Sequence, residues 1–96
     1  MQSGTGRQYR KYQMPITTRQ AKAARALLAW SQEDLARASG VSIPTVKRLE
    51  AEDGPFGGRV DTAAKLQTAL EAAGVIFIDQ NGEGPGVRLR KSGAAE

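Results

Sequence analysis

The stretch SQEDLARASGVSIPTVKRLE, residues 31–50, sets two short amphipathic segments end to end with Gly40 between them. Ser31 stands where a helix N-cap is needed, and Asp34, three positions on, supplies the return half of a shortened capping box. Gly40 closes that helix, because glycine takes a left-handed backbone at little cost. Ser42 is placed to cap a second helix, and Pro44 falls in its first turn, where a missing N–H is not needed. Val46 and Leu49 form the stripe that this second helix buries. The chain must therefore turn steeply between two helices within very few residues.

The flanks give a coarse organisation. Thr17 or Thr18 caps a helix running to about Ala29, with Ala21, Ala24, Leu27 and Leu28 recurring on one face. After residue 50 the loop AEDGPFGGRV interrupts the helical pattern. Asp61 is expected to cap a further helix through about Ala73, with Ala64, Leu66, Ala69 and Leu70 inward and Gly74 at its end. The period then changes: VIFID, QNGEGPG and VRLRK read as two short strands around a glycine-rich turn, a β-hairpin. Residues 1–15, MQSGTGRQYRKYQMP, lack apolar periodicity and are expected to form a basic, disordered arm; Met14 offers an alternative start. The expected organisation is an arm over 1–15, a helical domain over 16–74, a hairpin extension over 75–91 and a disordered tail over 92–96.

Composition removes most alternatives. With no Cys and no His among 96 residues, thiol nucleophiles, imidazole bases, disulfides and the usual zinc ligands are excluded. An enzyme, a metal site and a bound cofactor are not expected. The chain has no apolar run of about 18 residues and no secretory leader pattern, so a cytoplasmic protein without a membrane partner is expected. Residues 1–22 carry five bases and no acid, residues 23–84 six bases and nine acids, and residues 85–96 three bases and one acid. The basic ends would draw a polyanion unless they are simply solvated.

Two short helices at a steep angle hold the second helix clear of the body, where its N-terminal residues can enter a DNA major groove. The residue order adds to this. Ser-Gln-Glu-x-Leu-Ala at 31–36, Gly-Val-Ser at 40–42, Thr-Val at 45–46 and Leu-Glu at 49–50 resemble the Cro-like, phage-repressor type of helix-turn-helix, the xenobiotic-response-element family. The resemblance covers residues 19–74, and the hairpin is similar to that of small single-domain bacterial regulators. It implies a mainly α fold: a four-helix, lambda-repressor-like DNA-binding domain with a C-terminal β-hairpin.

The resemblance also implies roles. Gln32 falls on the family's phosphate-contacting position, beside Ser31 at a helix N-terminus. Ile43, Pro44, Thr45 and Arg48 fall on its base-reading positions. Ile43 and Pro44 depart from the commoner polar pair and would meet thymine methyls, while Arg48 would grip a guanine or, alternatively, a phosphate. Lys47 faces phosphate or water. Arg25 and Glu50 match a structural ion pair that ties the first helix to the end of the third. Gly57, Gly58 and Arg59 could offer backbone N–H groups and a charge to phosphate, or form a plain loop. Arg7, Arg10 and Lys11 would let the arm follow the DNA.

Other motifs have plainer readings. Trp30 stands where an aliphatic residue is usual and is expected in the core. The glycines of GEGPG at 82–86 lie between strands rather than before a helix and make a turn, not a phosphate cradle. Glu50, Glu52 and Asp53 fall at a helix end with nothing to desolvate them as a catalytic set. In the hairpin, consecutive apolar residues ask for cover on both faces. Val75, Ile76, Phe77, Ile78, Val87 and Leu89 are expected to form a homodimer interface, the alternative being a monomer with the hairpin folded on its own body. The expected function is a transcriptional regulator that binds double-stranded DNA as a homodimer on a palindromic operator, its recognition helix spanning 42–52. The alternative is an antitoxin-like or adaptor protein that uses the hairpin or tail to bind a partner protein.

Overall fold

A computed structural model describes residues 16–54, 56 and 60–91 of the chain. Among the described residues four helices precede a two-stranded antiparallel sheet: α1 (Thr18–Leu28), α2 (Gln32–Ser39), α3 (Ile43–Glu50), α4 (Val60–Ala72), β1 (Val75–Ile78) and β2 (Gly86–Leu89).

Each of the first three helices starts on a hydroxyl. Thr17 and Gln20 form a full capping box on α1, Ser31 and Asp34 one on α2, and the Ser42 hydroxyl accepts the Thr45 N–H on α3. Pro44 sits in the first turn of α3, as its ring requires. The helix ends differ in kind. Gly40 closes α2 in the left-handed region at φ 78°. Ala29 closes α1 at φ 58° although it carries a Cβ, and is held there by N–H bonds from Ala29 to Ala26 O and from Trp30 to Arg25 O.

The expected cap at Asp61 is corrected: α4 begins at Val60, so Asp61 lies inside the first turn, where its charge complements the helix dipole. Leu27 is also corrected. It is 43% exposed, because α1 meets the core along Ala21 and Ala24, and two alanines make a narrow stripe. Ala64 is exposed as well, being about 200° around the helix from Leu66. Leu66 and Leu70 are fully buried.

The core gathers Leu35, Val46, Leu49, Leu66 and Leu70, closed on one side by Ala21 and Ala24; Leu28, Trp30 and Ala69 pack around it. The loop after α3 contributes more than its composition suggests. Phe56 is 2% exposed, and its N–H donates to Ile16 O at 2.8 Å, while the Thr18 N–H donates to Gly54 O at 2.8 Å. These two bonds stitch the loop to the start of α1 and seat a ring whose burial is worth about 1.5–3 kcal/mol.

The hairpin pairs Val75 with Leu89, Ile76 with Arg88, Phe77 with Val87 and Ile78 with Gly86. Side chains alternate across it, so Val75, Phe77, Val87 and Leu89 share one face. That face lies on the helical body: Val75 is 1% exposed, and Phe77 and Val87 pack against the core. Val75, Phe77 and Val87 therefore cover the chain's own helices, which corrects their expected place in an interface with a second copy. Ile76, Ile78 and Arg88 occupy the opposite face.

Candidate nucleic-acid interface

The turn between α2 and α3 is fixed on its inner side. The Gly40 N–H donates to Ala36 O at 2.9 Å, and the Val41 N–H donates to the Ser39 hydroxyl at 3.2 Å. Leu35, Ala36, Val41, Val46 and Leu49 are buried together beneath it. With this side locked, the other side of α3 is turned outward: Ile43, Pro44, Lys47 and Arg48 are all exposed. Thr45 is half-buried at the edge of that surface, and its Oγ1 accepts from the Ser42 hydroxyl at 2.9 Å.

A second polar cluster braces the same helix from behind. Arg25 Nε donates to Glu50 Oε2 at 2.8 Å and Arg25 Nη2 to Glu50 Oε1 at 2.7 Å, while Arg25 Nη1 donates to Trp30 O at 2.9 Å. Gln32 Nε2 donates to Glu50 Oε1 at 3.0 Å. Three of these contacts reach Glu50, the last residue of α3, from α1 and the start of α2, and the fourth ties the α1–α2 turn to Arg25. Burial by itself pushes the Glu50 carboxyl up, but the hydrogen bonds from Arg25 and Gln32 outweigh it and hold the group below its ordinary value. The Arg25 guanidinium is raised, chiefly by its hydrogen bond to Glu50. Glu50 is therefore a structural anion that accepts three hydrogen bonds within the fold.

At the start of α2, Ser31 is exposed; its hydroxyl accepts the Asp34 N–H and its own N–H donates to Asp34 Oδ2. Asp34 is lowered by that bond from the Ser31 backbone and further by Arg37, 3.1 Å away. Gln32 is half-buried, since one of its amide hydrogens is committed to Glu50. The fold thus brings Ser31 and Gln32 to one end of α2 and Gln32 against the C-terminal end of α3. Gly58, Arg59 and the arm residues Arg7, Arg10 and Lys11 lie outside the described residues.

The family model for the helix-turn-helix matches residues 22–56, the span from α1 through the Phe56 loop. The chain carries a DNA-binding helix-turn-helix. It is of the Cro-like, xenobiotic-response-element type, and the helices and hairpin around it make a mainly helical, lambda-repressor-like domain. No curated protein matches the chain. Within this helix-turn-helix α3 is the second helix of the pair. Among the described residues no group of His, Cys, Asp and Glu could hold a metal ion, and no helix is long and apolar enough to cross a membrane.

One residue that sequence reasoning passed over stands out. Gln20 completes the α1 capping box and also donates from Nε2 to Gly86 O at 2.9 Å and to Ile78 O at 3.3 Å. The Thr-x-x-Gln spacing at 17–20 was a visible signal for the cap. Nothing local signals a bond to a hairpin some sixty residues on.

Proposed function

We propose that the protein is a cytoplasmic transcriptional regulator that binds a palindromic operator as a homodimer, laying α3 in the major groove of each half-site. The observation that carries this reading is the outward face of α3, where Ile43, Pro44, Lys47 and Arg48 are exposed on a helix whose opposite side is locked by the core and by Glu50. Arg48 reads a guanine edge, Ile43 and Pro44 contact thymine methyls, and Thr45 works from the margin. Ser31, Gln32 and Lys47 take phosphates. Gln32 keeps a second amide hydrogen for this beyond the one given to Glu50. Gly58, Arg59 and the basic arm with Arg7, Arg10 and Lys11 add backbone contacts beside the groove.

For the dimer, Ile76 and Ile78 on the hairpin face turned from the helices supply the apolar surface, and Leu89, 41% exposed at the end of the other face, adds to it at the margin. Among the described residues the two-stranded sheet also leaves an open edge on each strand, which a second hairpin would pair. Two-fold symmetry then sets the recognition helices about 34 Å apart, one turn of DNA.

The test is selection of bound fragments from randomised DNA together with sedimentation of the free protein. Inverted half-sites about one turn apart and a dimer at micromolar concentration are expected. A single unrepeated site bound by a monomer would overturn the dimer. Stable DNA binding only after a second protein is added would instead support the adaptor role.

A further inference from the structure

We propose that Gln20 is a positioning residue that fixes the hairpin relative to the recognition helix and so sets the half-site spacing that the protein reads. The inference rests on the homodimer reading above.

Gln20 is 7% exposed and every polar atom of its side chain is used. Oε1 accepts the Thr17 N–H at 2.8 Å, and Nε2 donates to Gly86 O at 2.9 Å and to Ile78 O at 3.3 Å. An N–H on one side and two carbonyls on the other allow one orientation of the amide. Ile78 ends β1 and Gly86 begins β2, and the two are register partners, so a single side chain clamps both strands at the mouth of the turn. The capping half of this role needs only an acceptor, which a glutamate would supply equally well. The hairpin half needs a donor, which only the amide supplies.

The same helix grips the DNA-reading unit. Arg25, about 7.5 Å further along α1 by helical rise, holds Glu50 at the end of α3. Between the two anchors lie Ala21 and Ala24, both with no exposed surface, against the core. α1 is thus a short rigid bar with the hairpin fastened near its first turn and the recognition helix near its last. If two hairpins meet on a symmetry axis, the angle held at Gln20 is carried to both recognition helices. A change of one base pair in spacing displaces a half-site by about 3.4 Å, a small error for an unclamped hairpin.

The experiment compares the full-length protein with Gln20→Glu and Thr17→Ala. Gln20→Glu keeps an acceptor for the Thr17 N–H and removes the donors to Ile78 and Gly86; Thr17→Ala weakens the cap and keeps the clamp. Each protein is used to select from inverted half-sites with randomised spacing, and amide hydrogen exchange is followed along the hairpin. Gln20→Glu should lower the preference for the best spacing over its neighbours about tenfold and speed exchange in β1 and β2 about tenfold, the scale expected when the two bonds to the hairpin carbonyls are lost. Thr17→Ala should lower stability yet keep the wild-type spacing. Unchanged spacing preference or unchanged hairpin exchange in Gln20→Glu overturns the inference. A wild-type protein that sediments as a monomer and has no preferred spacing overturns the homodimer reading instead, and the spacing role with it.

Discussion

Arg25 meets Glu50 side on, Nε to Oε2 at 2.8 Å and Nη2 to Oε1 at 2.7 Å, across 25 residues of chain. The Glu50 side chain is 3% exposed and that of Arg25 19%, so the pair is almost wholly withdrawn from water. Two parallel bonds of this kind fix angle as well as distance, and they set the tilt of α3 against α1. Arg25→Ala should therefore cost about 3 kcal/mol, the lower end of the range for leaving one member of a buried pair behind, because the Arg25 site retains some solvent. Arg25→Lys should recover only part of this, since an ammonium cannot supply the fork. Urea denaturation of the three proteins measures both.

The same contact gives acid sensitivity of a definite sign. The folded-state value of Glu50 lies below its unfolded value, so its contribution is fully present above the unfolded value, about 4.3, and is lost as pH falls through the folded one. Asp34 shifts the same way. Unfolding free energy should fall as pH drops below about 4.3, and Glu50→Gln should be less stable at pH 7 but show a shallower acid slope. Denaturation curves at a series of pH values between neutral and strongly acid decide it; an equal slope in both proteins would show that the Glu50 carboxylate is not responsible.

Ala29 offers an opposite test, a substitution that should stabilise. Its φ of 58° places a Cβ in the left-handed region, while the N–H bonds to Ala26 O and from Trp30 to Arg25 O hold the backbone there. Ala29→Gly relieves about 1 kcal/mol of that strain, less a smaller loss to unfolded-chain entropy. A rise in melting temperature of a few degrees is expected for a domain of this size, and a fall would mean that the Cβ contributes packing which outweighs the strain.

Local chemistry was legible wherever a single residue decides a backbone state. Ser31, Gly40, Ser42 and Pro44 each announced a helix end or first turn in the residues themselves, and the change to VIFID and VRLRK announced strands. The mainly helical fold with a terminal hairpin followed from these and from the family resemblance. What escaped was tertiary. Phe56 sits in a Gly- and Pro-rich stretch that reads as loop, and its ring is buried where two backbone bonds, Phe56 N–H to Ile16 O and Thr18 N–H to Gly54 O, tie that loop to the start of α1. Period alone turns Leu27 and Ala64 inward, whereas the width of the buried stripe depends on the facing element. Val75, Phe77 and Val87 carry the apolar pattern of an interface, and the surface they cover belongs to their own chain. The exposed face of α3 was legible as a surface, because the residues that must be buried left Ile43, Pro44, Lys47 and Arg48 no other direction.

That hairpin geometry changes how dimerisation should be probed. Removing the hairpin would uncover core residues packed beneath Val75, Phe77 and Val87, so loss of a dimer would be confounded with loss of the fold. Ile76→Glu acts on the opposite face. It should leave the helical circular dichroism spectrum unchanged and lower the dimer association constant at least tenfold, by placing a charge at an apolar contact. Sedimentation equilibrium gives the answer, and an undiminished dimer would move the interface to α4 or to the strand edges.

Recognition itself divides into two mutations with different signatures. Arg48 is exposed on α3; if it reads a guanine edge, Arg48→Ala should cost about 1–3 kcal/mol on the selected operator and far less on unrelated DNA. If Gln32 takes a phosphate, Gln32→Ala should weaken binding to every sequence by a similar factor, because such a contact positions without specifying. Gln32 also donates to Glu50 at 3.0 Å, so its loss should lower stability by the scale of one hydrogen bond to a charged group, about 1.5–3 kcal/mol, before any DNA is present. Arg48→Ala has no such contact to lose and should unfold like the wild type. Binding to operator and to unrelated duplex, set beside urea denaturation of each variant, separates the two roles. Equal losses on both DNAs for Arg48→Ala would reassign it to phosphate, and a changed base preference for Gln32→Ala would mean that the brace behind α3, rather than a backbone contact, is what Gln32 contributes to recognition.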